Sequence, residues 1–410
     1  MCKIGILFEN RDFEHDVYEL IKAFYPEAEI HTLYENAEAE YDLRFSVEQD
    51  NDSYIIKYER TENLSKQETE QKGVISADIL SKENAGCGIQ DAHALRKENK
   101  DNIKYALYQL LVKLTGRTLP WGNLTGIRPA KLAMGMIESG MKNTEAAREM
   151  RERYLVSPQK TALAITIANR EREILKDIDY ENGYSLYIGI PFCPSICLYC
   201  SFSSYPLKVW EKRTDEYVEA LCREVRETAL MMKGRKLDTI YIGGGTPTTL
   251  LPHQIRKLLD TVGEAFGYEG LAEFTVEAGR PDSITREKLE VIHRHNISRI
   301  SINPQSMQQK TLDTIGRKHT VEQVYEAFHM ARKLGFDNIN MDIITGLPGE
   351  SLSYVHETLD EIFKLRPESL TVHSLAIKRA AHLNIEMEKY QGMVTVSYTH
   401  LRAHETRSNL

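Results

Sequence analysis

From Tyr184 onward, short β-branched runs alternate with stretches whose apolar positions recur every three or four residues. "YSLYIGI" leads through a loop to the helical pattern "TDEYVEALCREVRETALMM", and "DTIYIG" leads to "HQIRKLLDTVGEAF". "AEFTVEA" precedes "ITREKLEVIHRH", and "SRISIN" precedes a short helix and then "VEQVYEAFHMARKLG". "NINMDII" precedes "YVHETLDEIFKL", and "SLTVHSL" closes the series. Six strand runs separated by helical runs predict parallel strands with helical crossovers. An open doubly wound sheet and a partial barrel both satisfy that pattern. The spacing Thr320 to Gln323 predicts a capping box at the start of one helix, and Gly335 its end.

The preceding residues read differently. "KIGILF", "AEIHTLY", "DLRFSVEQ" and "SYIIKYER" predict short strands, with one helix near Tyr18, so residues 1–90 are expected to form a small α/β domain. Residues 91–178 read as helical: "NIKYALYQLLVKLTG" and "QKTALAITIANREREILKDI" carry apolar stripes at helical spacing. Between them lies the turn-rich "PWGNLTGIRPAKL", with Pro129 suited to a helix start. Residues 179–380 are expected to form the repeating core, and 381–410 a truncated C-terminal region.

Composition narrows the chemistry. The net charge of −8 over 410 residues argues against a nucleic-acid partner. No apolar run approaches the ~18 residues of a membrane span, and the N-terminus turns acidic too early for a signal peptide. A cytoplasmic protein with reduced thiols is expected. Three of the six cysteines nevertheless fall within "PFCPSICLYC": Cys193, Cys197 and Cys200. Three thiolates in one short loop suit a soft metal. Structural zinc wants four protein ligands, and no further Cys or His follows at a suitable local spacing; Cys222 falls inside a helical pattern. A cubane of four irons and four sulfurs bound through three irons fits the count; zinc with a distant fourth ligand, or plain packing, are the alternatives.

"IYIGGGTPTTL" sets three glycines after a strand, where backbone can approach a ligand closely or simply turn. Glu277, Gln305 and Asp342 end, follow or interrupt successive strand runs. In a parallel β/α array the carboxyl ends of the strands share one face, so these groups are expected to converge there. Taken one at a time, each reads more readily as a capping or solvated group; ligand-type chemistry at five strand ends together reverses that balance.

Together the CxxxCxxC loop, "GGGTPTTL", "VEAGRPD", "SINPQSMQQKTLDTIGRKHT" and "MDIITGLPGE" resemble radical S-adenosylmethionine (SAM) enzymes. Within them they resemble the oxygen-independent coproporphyrinogen III dehydrogenase family. "LTVHSLAIKRAAHLN" and the long N-terminal extension are most similar to its HemZ-type branch. The resemblance implies an α/β fold: a partial (β/α)6, TIM-like radical SAM barrel behind an N-terminal α/β plus helical extension. It implies a 4Fe–4S cluster on Cys193, Cys197 and Cys200. SAM would chelate the open iron and be cleaved to a 5'-deoxyadenosyl radical once a one-electron donor, such as flavodoxin or ferredoxin, reduces the cluster. It further implies that Tyr187 and Tyr199 flank cluster and SAM, that Gly244, Gly245 and Thr246 meet the methionine part, and that Glu277, Gln305, Arg317 and Asp342 are polar SAM contacts. Ala376 would give a backbone contact. The implied reaction is oxidative decarboxylation of coproporphyrinogen III to protoporphyrinogen IX; a haem carrier or chaperone without that activity is the alternative, so the small-molecule partner is a porphyrinogen or haem.

Two positions depart from the well-studied dehydrogenases. Phe202 stands where they carry a further cysteine, and Gly189 where they carry a histidine. The former change also occurs in the haem-chaperone branch. Finally, "VSYTHLRAHET", Val396–Thr406, resembles a translated sequencing adapter and continues no periodic pattern. The natural chain is therefore expected to diverge near Thr395, and His400 and His404 are not expected to bind metal.

Overall fold

A computed structural model describes residues 2–9, 11–34, 41–50, 53–64, 67–78, 92–390 and 392–393. Cys87 and the adapter-like tail lie outside these residues. The described chain falls into two units, one within 1–174 and the other within 175–398.

In the first unit, β1 (Lys3–Phe8), α1 (Glu14–Phe24), β2 (Glu29–Leu33), β3 (Leu43–Asp50), β4 (Ser53–Leu64) and β5 (Gln67–Asp78) come first. The sheet order is β2-β1-β3-β4-β5. β1 runs parallel to both its neighbours, and β3, β4 and β5 form an antiparallel meander. The apolar stripe of α1 (Val17, Leu20, Ile21, Phe24) packs with Ile4, Ile6 and Phe8 of β1. The long α2 (Ala92–Thr115) adds Leu107 and Leu111 to the same core. Then α3 (Pro129–Glu138), α4 (Asn143–Glu152) and α5 (Pro158–Ile174) share a separate core around Ala133, Met150 and Ala164. Pro129 occupies the first turn of α3, where its missing N–H costs nothing. β5 and α4 escape the sequence pattern: α4 buries only Ala146 and Met150, too few positions to mark a stripe.

The second unit opens with β6 (Gly183–Ile190), a two-residue pair β7 (Phe192–Cys193) and β8 (Tyr205–Pro206), and α6 (Leu207–Trp210). There follow α7 (Thr214–Met231), β9 (Lys236–Gly244), α8 (Pro252–Phe266), β10 (Glu273–Gly279), α9 (Arg286–His293) and β11 (Arg299–Ile302). The series ends with α10 (Gln309–Thr314), α11 (Val321–Lys333), β12 (Ile339–Thr345), α12 (Leu352–Leu365), β13 (Ser369–Ser374) and α13 (His382–Ile385). The six long strands form one parallel sheet in the order β13-β12-β11-β10-β9-β6, the curled half-barrel of a partial TIM-like fold. Of the two architectures the strand–helix alternation allowed, the partial barrel is the one formed. The capping box at Thr320 is present: Gln323 N donates to Thr320 Oγ1 at 3.3 Å and Thr320 N to Gln323 Oε1 at 2.9 Å.

Strand side chains alternate strictly, with period two. Ile188, Ile190, Ile240, Ile242, Phe274, Val276, Ile300, Met341 and Ile343 form one core with the buried stripes of α7, α8, α9, α11 and α12. The other set of positions is polar: Ser185 and Tyr187, Thr239 and Tyr241, Thr275 and Glu277, Arg299 and Ser301, Asn340 and Asp342, Thr371 and His373. A parallel sheet ordinarily buries apolar residues on both faces, so a polar inner face marks a surface built for a solute. Phe274 is fully buried in the helix-facing core. Phe274→Ala is expected to lower the unfolding free energy by about 3–5 kcal/mol, read by urea denaturation; a loss below about 1 kcal/mol would contradict this placement.

Candidate functional site

The cysteine loop leaves β6 and is pinned on every side. Gly245 N donates to Ile190 O at 2.7 Å, and Tyr205 N to Pro191 O at 2.8 Å. Leu198 N donates to Ile315 O at 2.9 Å, and Leu383 N to Leu198 O at 2.8 Å. Cys193 and Cys197 are each 8 % exposed and Cys200 is half-buried, and none is in a disulfide. Burial pushes the Cys193 and Cys200 thiols up, as do the neighbouring cysteines; hydrogen bonds from Thr246 to Cys193 and from the Phe202 amide to Cys200 work against it. Thr246 Oγ1 lies 3.6 Å from Cys193 Sγ. Among the described residues no three Cys, His, Asp or Glu side chains converge on a single-ion position. A cubane takes each thiolate on a different iron, whereas structural zinc takes four ligands on one ion.

The glycine run packs directly behind this loop. Gly244 has φ +107°, which disfavours any side chain. A Cβ on Gly245 would come within 2.7 Å of Phe192 O and 3.0 Å of Cys193 Sγ. The missing side chain thus clears room for the cysteine loop itself.

Glu277, Gln305 and Asp342 sit where the strand ends put them. Tyr187 stacks on Tyr241, ring centroids 5.8 Å apart and planes within 10°. Tyr241 donates its phenol to Glu277. Burial raises the Glu277 carboxyl to about 6, with the Tyr241 hydrogen bond opposing and Asp342 adding to the rise. Burial also pushes Asp342 up, but hydrogen bonds from His373, Asn340 and Thr371 outweigh it and hold the carboxyl below its ordinary range. Asn340 Nδ2 donates to Asp342 Oδ1 at 2.6 Å, and His373 Nε2 lies 3.9 Å from Asp342 Oδ2. Gln305 bridges strands through its backbone, N to Asp342 O and O to Ile344 N, both 2.9 Å. Its φ is +69°, a strained conformation for glutamine. Arg317 is buried and donates to Asn303 O, and its guanidinium lies by Cys197 and the Tyr199 phenol. Burial opposes its charge, but those two neighbours outweigh it and raise the group, so it stays cationic. Burial raises the Tyr199 phenol in turn.

Three buried polar atoms here, Asn303 Oδ1, Gln305 Oε1 and Arg317 Nε, meet no hydrogen-bond partner among the described residues. Unpaired buried groups are costly, and such clusters call for a polar ligand. With the glycine cradle and three thiols beside them, these residues fit a cluster with a polar cofactor against it. Ala376 follows β13 and is half-buried. Tyr187 is 61 % exposed and stacks on Tyr241 of the inner face. Among the described residues a Cβ on Gly189 would meet only Tyr187, at 3.6 Å. The Phe202 ring is 71 % exposed. Tyr241, Asn340, His373 and Arg280 escaped the sequence reading; the first three share the inward parity of Glu277 and Asp342, a signal the alternation itself carries.

Comparison with known proteins identifies the family. The Radical SAM superfamily family model matches residues 187–362. The chain is 39 % identical over 344 residues to the "Oxygen-independent coproporphyrinogen-III oxidase-like protein HemZ" of Bacillus subtilis, covering 80 % of this chain and 68 % of that protein. It is 37 % identical over 195 residues to the "Heme chaperone HemW" of the same organism, covering 47 % and 51 %. The solved coproporphyrinogen III oxidase (HemN) of Escherichia coli is 28 % identical, covering 54 % of this chain and 55 % of that one, with a TM-score of 0.45. The chain thus spans about half the length of HemW and of the solved oxidase. The thiol loop, the glycine cradle and the long match to HemZ lead to one conclusion: the chain belongs to the radical SAM superfamily, whose members use a 4Fe–4S cluster and SAM, and within it to the HemZ-type, coproporphyrinogen oxidase-like branch.

Proposed function

We propose that this protein is a radical SAM oxidoreductase that decarboxylates the propionates of coproporphyrinogen III. The match to HemZ over 344 residues, which takes in much of the N-terminal unit as well as the barrel, carries the reading. Bound together, cluster and SAM supply one-electron cleavage of SAM and a radical that removes a substrate hydrogen atom. The chain's own part is to hold and orient. Cys193, Cys197 and Cys200 provide the thiolates. Gly244, Gly245 and Thr246 would lie against the methionine part of SAM, and the Gln305 amide beside it. Arg317 would take the SAM carboxylate, for which its planar fork is suited. Glu277 and Asp342 would accept from hydroxyl or amino groups, Tyr187, Tyr199 and Ala376 completing the surround. A flavodoxin or ferredoxin would supply the electron.

A second reading, a haem carrier, draws on the match to HemW and on Phe202, which cannot offer a thiol. Anaerobic product analysis with SAM, reductant and coproporphyrinogen III separates the two. Protoporphyrinogen IX and carbon dioxide over many turnovers are expected; haem binding and transfer with no decarboxylated product would favour the carrier.

Replacing Cys193, Cys197 or Cys200 by Ser is expected to abolish reconstituted iron and labile sulfide, with Cys2→Ser and Cys222→Ser unaffected. Gly245→Val is expected to lose both iron and SAM binding, since its side chain meets Cys193 Sγ. Full iron in any of the three cysteine variants contradicts the ligand assignment, and unchanged iron and SAM binding in Gly245→Val contradicts the placement of Gly245. Burial raises the Glu277 carboxyl to about 6. Binding through its carboxylate favours the ionised form, so SAM affinity should be full above that value and fall several-fold as pH drops from about 7.5 to about 5.5. Calorimetric titration should show a flat profile over the same range in Glu277→Gln; an unchanged slope would remove Glu277 from the site.

A further inference from the structure

Arg280, the first residue after β10, is 2 % exposed. All three guanidinium nitrogens are engaged. Nε donates to Asp282 Oδ1 at 3.0 Å and Nη2 to Asp282 Oδ2 at 2.7 Å. Nη1 donates to both Ser195 O and Ser195 Oγ at 2.9 Å. Ser195 lies midway between Cys193 and Cys197, and its hydroxyl continues to Gly316 O at 3.0 Å, next to Arg317.

A buried guanidinium is costly unless fully paired. A general packing role would be met as well by an apolar residue of similar volume. What an apolar residue could not do is hold the Ser195 carbonyl, or set charge beside a loop that carries three thiolates. Lysine, a point donor, could not occupy four acceptors in this fork geometry.

We propose that Arg280, aimed by Asp282, is a positioning residue for the cysteine loop and a fixed positive charge that favours electron uptake by the group the loop holds. The inference rests on the reading that the three thiolates carry the cluster. Gaining an electron adds negative charge, which a nearby cation stabilises and a nearby carboxylate opposes. The pair therefore makes opposite demands on its two members. Removing Arg280 leaves the Asp282 carboxylate alone and makes reduction harder. Neutralising Asp282 leaves the guanidinium uncompensated and makes reduction easier.

The test uses full-length wild type, Arg280→Met, Arg280→Lys and Asp282→Asn. Midpoint potentials of the anaerobically reconstituted proteins are read by EPR-monitored redox titration. Amide exchange of residues 194–200 is read on the apoproteins by mass spectrometry. Arg280→Met should shift the potential to more negative values and speed exchange of the loop at least tenfold. Asp282→Asn should shift it to more positive values. Arg280→Lys should keep a potential near that of wild type while the loop exchanges faster. Wild-type potential and exchange in Arg280→Met would overturn the proposal, as would shifts of the same sign in Arg280→Met and Asp282→Asn. Should Arg280→Met not fold, the lysine and asparagine variants decide. Should wild type take up no cluster, the ligand reading fails, and the apoprotein exchange still judges the positioning role.

Discussion

Buried charge that must be paired is the constraint on which this site depends. Lys288, on α9 behind the strand ends, donates to Thr248 O at 2.6 Å and Ser283 O at 3.0 Å. The Thr248 and Ser283 hydroxyls meet at 2.6 Å, and Ser283 Oγ donates to Arg280 O at 2.8 Å. Arg280 then reaches Ser195, and Ser195 reaches Gly316. One chain of bonds thus joins the glycine loop after β9, the turn after β10, the cysteine loop after β6 and the turn before Arg317. An ammonium and a guanidinium out of water cannot lose partners cheaply, so the loops are held in fixed relation although each is irregular.

The sheet beneath supplies direction. Parallel strands bring every carboxyl end to one face, and strict alternation separates a helix-facing apolar set from an inward polar set. Charge is divided on the same plan. Glu277 and Asp342 line the inner face, while Arg317 and Arg280 flank the thiols. Burial decides the pair of carboxyls differently: Glu277 has one phenol for a partner and is raised, whereas Asp342 has three hydrogen-bond donors and is lowered. His319, fully buried near both arginines, is pushed down to about 3 by burial and by Arg317, and stays neutral there.

Much of this was legible in the sequence because it is periodic or local. The six strand–helix repeats follow from period-two and period-3.6 patterns, the helix start at Thr320 from a capping box, and the metal chemistry from three cysteines in one loop. What was not legible depends on direction or long range. The sequence marked Gly245 as a clearance but could not tell that its missing side chain points at Cys193. "VEAGRPD" stood out only as a family-like motif, and nothing local reveals that Arg280 reaches Ser195, 85 residues away. β5 stayed hidden because "QETEQKGVISAD" is mostly polar, and it is placed by pairing with β4 rather than by its own pattern.

The central claim is that three thiolates hold a cluster with one iron left open for SAM. EPR of the reduced, reconstituted protein, recorded with and without SAM, tests it most directly. A reduced 4Fe–4S signal that changes shape and g-values on adding SAM is the result this account expects. An identical spectrum in the presence of saturating SAM, or no cluster signal at all, would contradict it.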